Sequence, residues 1–174
     1  GDLHIGRRSS TKNAGFNSPE EISCASMWEK LVDCAIDKQV DLVLLSGDIV
    51  DQDNCYFEAI APLEKGLRKL HSCGIQTYAT AGNHDAGVLP RLAGLVNTGS
   101  FQLLGKDGIW ESVDYSKDGK VLARIHGWSF FSRHHQTSPL LQPPQHTAAG
   151  AANVRGVRKH AAAQYPSELH IVAR

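Results

Sequence analysis

A chain of 174 residues has the length of one domain, and its 41% hydrophobic content is enough for a buried core. Eighteen Lys and Arg side chains against eighteen Asp and Glu exclude a global basic field for nucleic acid, though not a local patch. The apolar stretches are far short of a membrane span and no signal peptide opens the chain, so a cytoplasmic protein is expected.

Gly1-Asp2-Leu3-His4-Ile5-Gly6 reads as the exit from a strand whose apolar residues would lie before Asp2, which predicts a chain truncated at its start. Residues 7–17 are polar and contain glycine, hence a loop. Ser18-Pro19-Glu20-Glu21 has the residues of a helix start, with Ser18 as cap and Glu21 completing a capping box. Ile22, Met27, Leu31, Val32, Ala35 and Ile36 then recur at helical spacing with Trp28 beside them, and the helix is placed at 19–38. Val40 to Ser46 is nearly continuous apolar sequence, which suits a strand buried on both faces.

A loop at 49–54 and a helix over 55–72 follow, stopped by Gly74. Ile75 to Thr80 is the next strand, then come a short helix at 88–97 and a third strand at Phe101 to Leu104. Here the rhythm changes. Ile109 to Val113 and Val121 to Ile125 read as a hairpin around Lys117-Asp118-Gly119-Lys120, so a mixed sheet in an α/β sandwich is expected. Residues 1–138 form the folded domain in this reading. Residues 139–174, rich in Pro, Ala, His and Gln without period, are an irregular or disordered tail. Cys24, Cys34, Cys55 and Cys73 match no zinc spacing and are expected to be buried, reduced thiols.

Three short runs carry the chemistry: Asp2-Leu3-His4, Gly47-Asp48 and Gly82-Asn83-His84-Asp85. Each is placed just past a strand, and the C-terminal loops of an α/β sheet meet along one edge. In an extended segment Asp2 and His4 share a face, giving one carboxylate and one imidazole for a transition metal. Asp48 has two oxygens with which to bridge two cations, Asn83 offers an amide oxygen, and Gly82 permits a tight turn. Two metals about 3.5–4 Å apart can activate water and neutralise a phosphate.

The order Asp-x-His, Gly-Asp-x-x-Asp, Gly-Asn-His-Asp resembles the calcineurin-like metallophosphoesterase superfamily. The contexts Gly1 to Arg8 and Asp41 to Asp51 are similar to its SbcD-like DNA-repair exonuclease branch. The resemblance covers residues 1–130 and implies an α/β/β/α sandwich with mixed sheets and two divalent metals, commonly manganese. It implies that Asp2 and His4 hold the first metal, Asp48 bridges both and Asn83 binds the second. His84 would face the phosphate, and Asp85 would orient His84. Asp51 is expected to support its loop. Arg7 and Arg8 either meet a nucleic-acid backbone or form a solvated pair. An SMC-like ATPase subunit and a homodimer are implied as partners beside DNA.

The family completes its site with a later strand-end histidine and a Gly-His-x-His-like pair. This sequence has no Gly-His-x-His, and His170 in Leu169-His170-Ile171-Val172 is its weak candidate for the strand-end ligand. Truncation at both ends is therefore expected, with poor manganese binding and little phosphodiesterase activity in the 174-residue chain. Three functions stay open: a DNA exonuclease or endonuclease, a phosphoesterase on small nucleotides or phosphoproteins, and a catalytically incomplete binding remnant. The motifs read phosphate, not what is attached to it.

Overall fold

The computed structural model describes residues 1–7, 23–53, 56–96, 99–142, 144, 152–153 and 168–172. Three parallel strands form the first sheet in the order β1-β2-β3: β1 Leu42–Ser46, β2 Gln76–Thr80 and β3 Phe101–Leu103. Helices α1 Cys24–Asp37, α2 Ile60–Ser72 and α3 Leu89–Leu95 connect or precede them. The second sheet has the order β4-β5-β7-β6: β4 Glu111–Lys117, β5 Lys120–Trp128, β7 Glu168–Val172 and β6 Ala152–Asn153. β4 and β5 are antiparallel, whereas β7 runs parallel to both β5 and β6. The fold is a mixed-sheet α/β sandwich, and its described residues supply three layers: helices, first sheet, second sheet. Among the described residues no helix is long and apolar enough to cross a membrane.

The first sheet is buried on both faces, and strand alternation sorts its side chains between two cores. Val43, Leu45 and Ala79 face Trp28, Val32, Leu63, Leu67 and Leu70 of the helical layer. Leu42, Leu44 and Tyr78 face Ile125, Ile171, Val113 and Tyr115 of the second sheet, with Leu104 between. Strands β1 and β2 are therefore packed on both faces, which positions the loops at their C-terminal ends.

Several expectations are corrected. Helix α1 begins at Cys24, capped by Ser23, whose Oγ accepts the Ser26 N–H at 3.0 Å; Ser18 to Glu21 lie outside the described residues. Its buried stripe centres on Trp28 and Val32, while Met27 and Leu31 are about half exposed. The indole decides this rotation. It lies flat against Gly66 of α2, and its Nε1 donates to Pro62 O at 3.0 Å. The three described cysteines are free, but Cys34 and Cys73 are exposed and Cys24 is half-buried. Cys55 lies outside the described residues.

The segment from 139 onward is not irregular throughout. Pro139–Leu141 is a 3-10 turn, and Glu168–Val172 is an inner strand of the second sheet with Ile171 fully buried. Five residues, Glu168 to Val172, suffice there because each pairs with a residue of the neighbouring strand β5. The hairpin turn falls as expected, with Asp118 and Gly119 both at positive φ.

Candidate metal centre

The loops that follow β1 and β2 lie side by side because their strands do. Gly47 N donates to Thr80 O at 3.0 Å, extending the pairing past both strand ends. The start of the chain joins this edge as an irregular third member. Asp2 N donates to Gly47 O, His4 N to Asp48 O at 3.0 Å, and Ile5 N to Ile49 O at 2.8 Å. Ile5 forms a single parallel bridge to Val50 and is fully buried, pinning the segment.

Asp2, His4 and Asp48 come together, with one ligand atom of each within 4.8 Å of the others. They do so by a route other than the expected extended face. Asp2 has φ 61°, His4 φ 44° and Asp48 φ 51°. All three non-glycine residues therefore occupy the left-handed region, which costs each about 1–2 kcal/mol. The turning backbone brings the three side chains to one place, with Asp48 buried, His4 half-buried and Asp2 exposed. His4 Nδ1 is buried without a hydrogen-bond partner and stands 3.8 Å from Asp51 Oδ2, beyond hydrogen-bond range. Two carboxylates and an imidazole with an unused ring nitrogen suit a divalent transition metal, so these residues fit the implied ion.

A second group was not foreseen. Asp51, Asp53 and His84 also place one ligand atom each within 4.8 Å of one another. Asp51 does support its loop, accepting the Asp53 N–H at 3.1 Å. Asp53 carries no motif of its own; its signal is the spacing Asp48-x-x-Asp51-x-Asp53, three carboxylates on one short loop. The rings of His4 and His84 meet edge to face with centroids 5.2 Å apart, so the two groups adjoin.

Gly82 matters through close approach. A Cβ there would stand 2.1 Å from Asp48 Oδ1, so only glycine lets the second loop press against the carboxylate. His84 N donates to that same oxygen at 3.0 Å. Asn83 is half-buried between these two contacts. Asp85 has another partner set than expected. Its Oδ1 accepts from Gly82 N at 2.6 Å, and its Oδ2 accepts from Ile49 N at 2.7 Å and Val50 N at 3.3 Å. Both oxygens are thus committed to backbone, and the residue welds the two loops together rather than gripping the His84 ring. Burial pushes its carboxyl up to about 7, against those N–H donors, which favour the charged form, and with help from the neighbouring Asp48 charge.

The residues read from sequence separate accordingly. Asp2, His4, Asp48, Asn83, His84 and Asp85 share one edge. Arg7 is exposed just beyond His4, to whose carbonyl its N–H donates at 2.9 Å; Arg8 lies outside the described residues. His126 is buried, with Nδ1 2.7 Å from Ser112 Oγ, and faces the second sheet's own neighbours. His170 stands opposite His126 in the β5–β7 register.

A family model for calcineurin-like phosphoesterases matches residues 1–162. The chain belongs to that family. The superfamily resemblance carried by the three motifs is therefore borne out, and the calcineurin-like phosphoesterases are metal-dependent hydrolases of phosphoesters. Among curated proteins the chain is similar to an uncharacterized metallophosphoesterase, YhaO, of Bacillus subtilis, at 31% identity over 105 residues, 59% of this chain and 25% of YhaO. It is also similar to a DNA double-strand break repair protein, Mre11, of Thermoplasma acidophilum, at 28% identity over 116 residues, 66% of this chain and 29% of Mre11. The calcineurin-like chain thus spans well under half the length of these relatives. A dimetal phosphatase from Danio rerio aligns with a TM-score of 0.46 at 16% identity, over 79% of this chain and 46% of that one.

Proposed function

We propose that this chain carries the metal-binding and substrate-facing loops of a phosphodiester hydrolase acting on DNA, with two divalent ions, manganese by preference. The observation that carries the reading is the convergence of Asp2, His4 and Asp48 on backbone held in the left-handed region. Strained φ values at three potential ligands in one small cluster mark a functional site.

In this reading Asp2 and His4 would hold the first ion, Asp48 would serve both, and Asn83 would serve the second. Asp51 and Asp53 stand close enough to His84 to add carboxylate charge on that side. The ions, when bound, supply positive charge and an activated water at the phosphate. His84 faces the substrate and moves a proton toward the leaving oxygen, its position set by the backbone bond from its N–H to Asp48. Asp85 holds the loops in register. Arg7, exposed beside His4, is read as a contact to the nucleic-acid backbone.

The similarity to a double-strand break repair protein favours DNA over a small nucleotide or a phosphoprotein. The reading keeps an SMC-like ATPase partner and a homodimer as what the family resemblance implies, and a cytoplasmic location, which suits the exposed free thiols of Cys34 and Cys73. The test is to incubate the protein with manganese, a chromogenic phosphodiester and linear DNA, and to compare His84→Ala. DNA cleavage lost in the variant supports the reading. Cleavage of the small ester alone moves the substrate to small phosphoesters. No activity on either substrate makes the domain a binding remnant.

A further inference from the structure

We infer that Arg133 is a phosphate-binding residue, carried to the His84 side of the site on an anchored loop and held there by Asp53. Its guanidinium meets the Asp53 carboxylate at two points, Nη2 to Oδ2 at 2.5 Å and Nη1 to Oδ1 at 3.2 Å. Asp53 is the residue whose carboxylate groups with Asp51 and His84. The guanidinium is thus one carboxylate away from the imidazole that faces the substrate. The inference rests on the phosphoester reading for its ligand, a phosphate group, and adds a residue that the sequence motifs do not contain.

The ion pair is not what holds the loop in place. The start of the loop is fixed by buried contacts on the far side. Ser129 Oγ accepts the Ala81 N–H at 2.8 Å and donates to Leu104 O at 2.6 Å. Phe130 N donates to Ala81 O at 3.0 Å, and Ser129 N to Gly105 O at 2.9 Å. Trp128 then stacks edge-on with Phe130 and Phe131, and His135 closes this aromatic group. Ala81 directly precedes Gly82, so the loop is anchored to the same backbone that delivers Asn83 and His84.

Arg133 and Asp53 are each about half exposed. An ion pair so open to water is weak and readily exchanged. A planar guanidinium binds phosphate through two parallel hydrogen bonds, which suits it to trade a carboxylate for a phosphate. Electrostatics point the same way. Asp51 and Asp53 crowd the His84 edge with negative charge, and a phosphate approaching there needs a cation to offset it. Arg133 supplies one at that edge.

The test titrates the full chain with inorganic phosphate by calorimetry in manganese buffer, alongside a separate manganese titration and hydrolysis of a chromogenic phosphodiester. Arg133→Ala is expected to weaken phosphate binding about tenfold, the worth of a charge-assisted contact. Arg133→Lys recovers part of the loss, and manganese affinity stays unchanged in both. KM for the ester rises more than kcat falls. Unchanged phosphate affinity in Arg133→Ala, no phosphate affinity in the unmodified chain, or phosphate and manganese affinities falling together would each overturn the inference. If phosphate binding follows Arg133 and no ester is cleaved, the hydrolase reading fails and this one stands. If His84-dependent cleavage persists while phosphate affinity ignores Arg133, the reverse holds.

Discussion

Gly82 lies so close to Asp48 that a Cβ at Gly82 would come within 2.1 Å of Asp48 Oδ1 and 2.6 Å of Asp48 N. The contact joins the loop after β2 to the loop after β1 at the carboxylate assigned to both ions. Asp48 and its surroundings are buried, so neither side has room to give. Gly82→Ala is therefore expected to destabilise the protein by about 1–3 kcal/mol, as overpacking does. It should also abolish manganese-dependent activity. Urea unfolding and a manganese titration of the same variant check the two effects separately.

Asp85 predicts a pH dependence. In the folded chain its carboxyl titrates near 7, raised by burial, whereas the unfolded chain titrates near 3.8. Between those values the folded state holds a proton that the unfolded state has released. The contribution of Asp85 to stability is therefore fully present below about pH 4 and is lost as pH rises toward about 7, by up to about 4 kcal/mol in all. Unfolding of the metal-free protein across this range should show the decline, and Asp85→Asn should flatten it relative to the unmodified chain.

Ser129 is a buried hydroxyl with two backbone partners, one of them the residue before Gly82. Ser129→Ala leaves the Ala81 N–H and the Leu104 carbonyl without that partner. The expected cost is about 1–3 kcal/mol. Because Ala81 leads directly into Gly82, kcat should fall as well, while a surface variant such as one at Lys120 leaves both stability and kcat unchanged. Parallel denaturation and ester hydrolysis decide it.

Gly66 tests the packing of the helical layer. Alanine at a helical glycine normally stabilises by about 1 kcal/mol. Here a Cβ would stand 2.3 Å from Trp28 Nε1, and that ring is buried and bonded to Pro62. The clash outweighs the propensity gain, so Gly66→Ala should lower the unfolding midpoint; a rise would contradict the packing described.

Much of the site was legible because its residues are local in sequence. Asp2-Leu3-His4, Gly47-Asp48 and Gly82-Asn83-His84-Asp85 each name their chemistry within four residues, and strand ends bring them to one edge. What stayed hidden depends on contacts across the chain. Nothing near Arg133 marks it as a neighbour of Asp53, eighty residues away. Asp85 looks like a partner for the adjacent imidazole, yet its oxygens reach Ile49 and Val50 on another loop. The stripe of α1 was misjudged for the same reason. Periodicity allowed Met27 and Leu31 to face inward, and only the groove at Gly66 selects Trp28 instead. The strand Glu168–Val172 leaves no signal of its own in the sequence, because its order comes from β5 and not from its own length.

Asp2, His4 and Asp48 are proposed as the site of a divalent ion. Manganese titration of the 174-residue chain, followed by calorimetry and by the spectrum of the bound ion, tests it most directly. Weak but stoichiometric binding is expected, lost in Asp48→Asn and in His4→Ala, with both variants folded. Binding that survives both substitutions would contradict it.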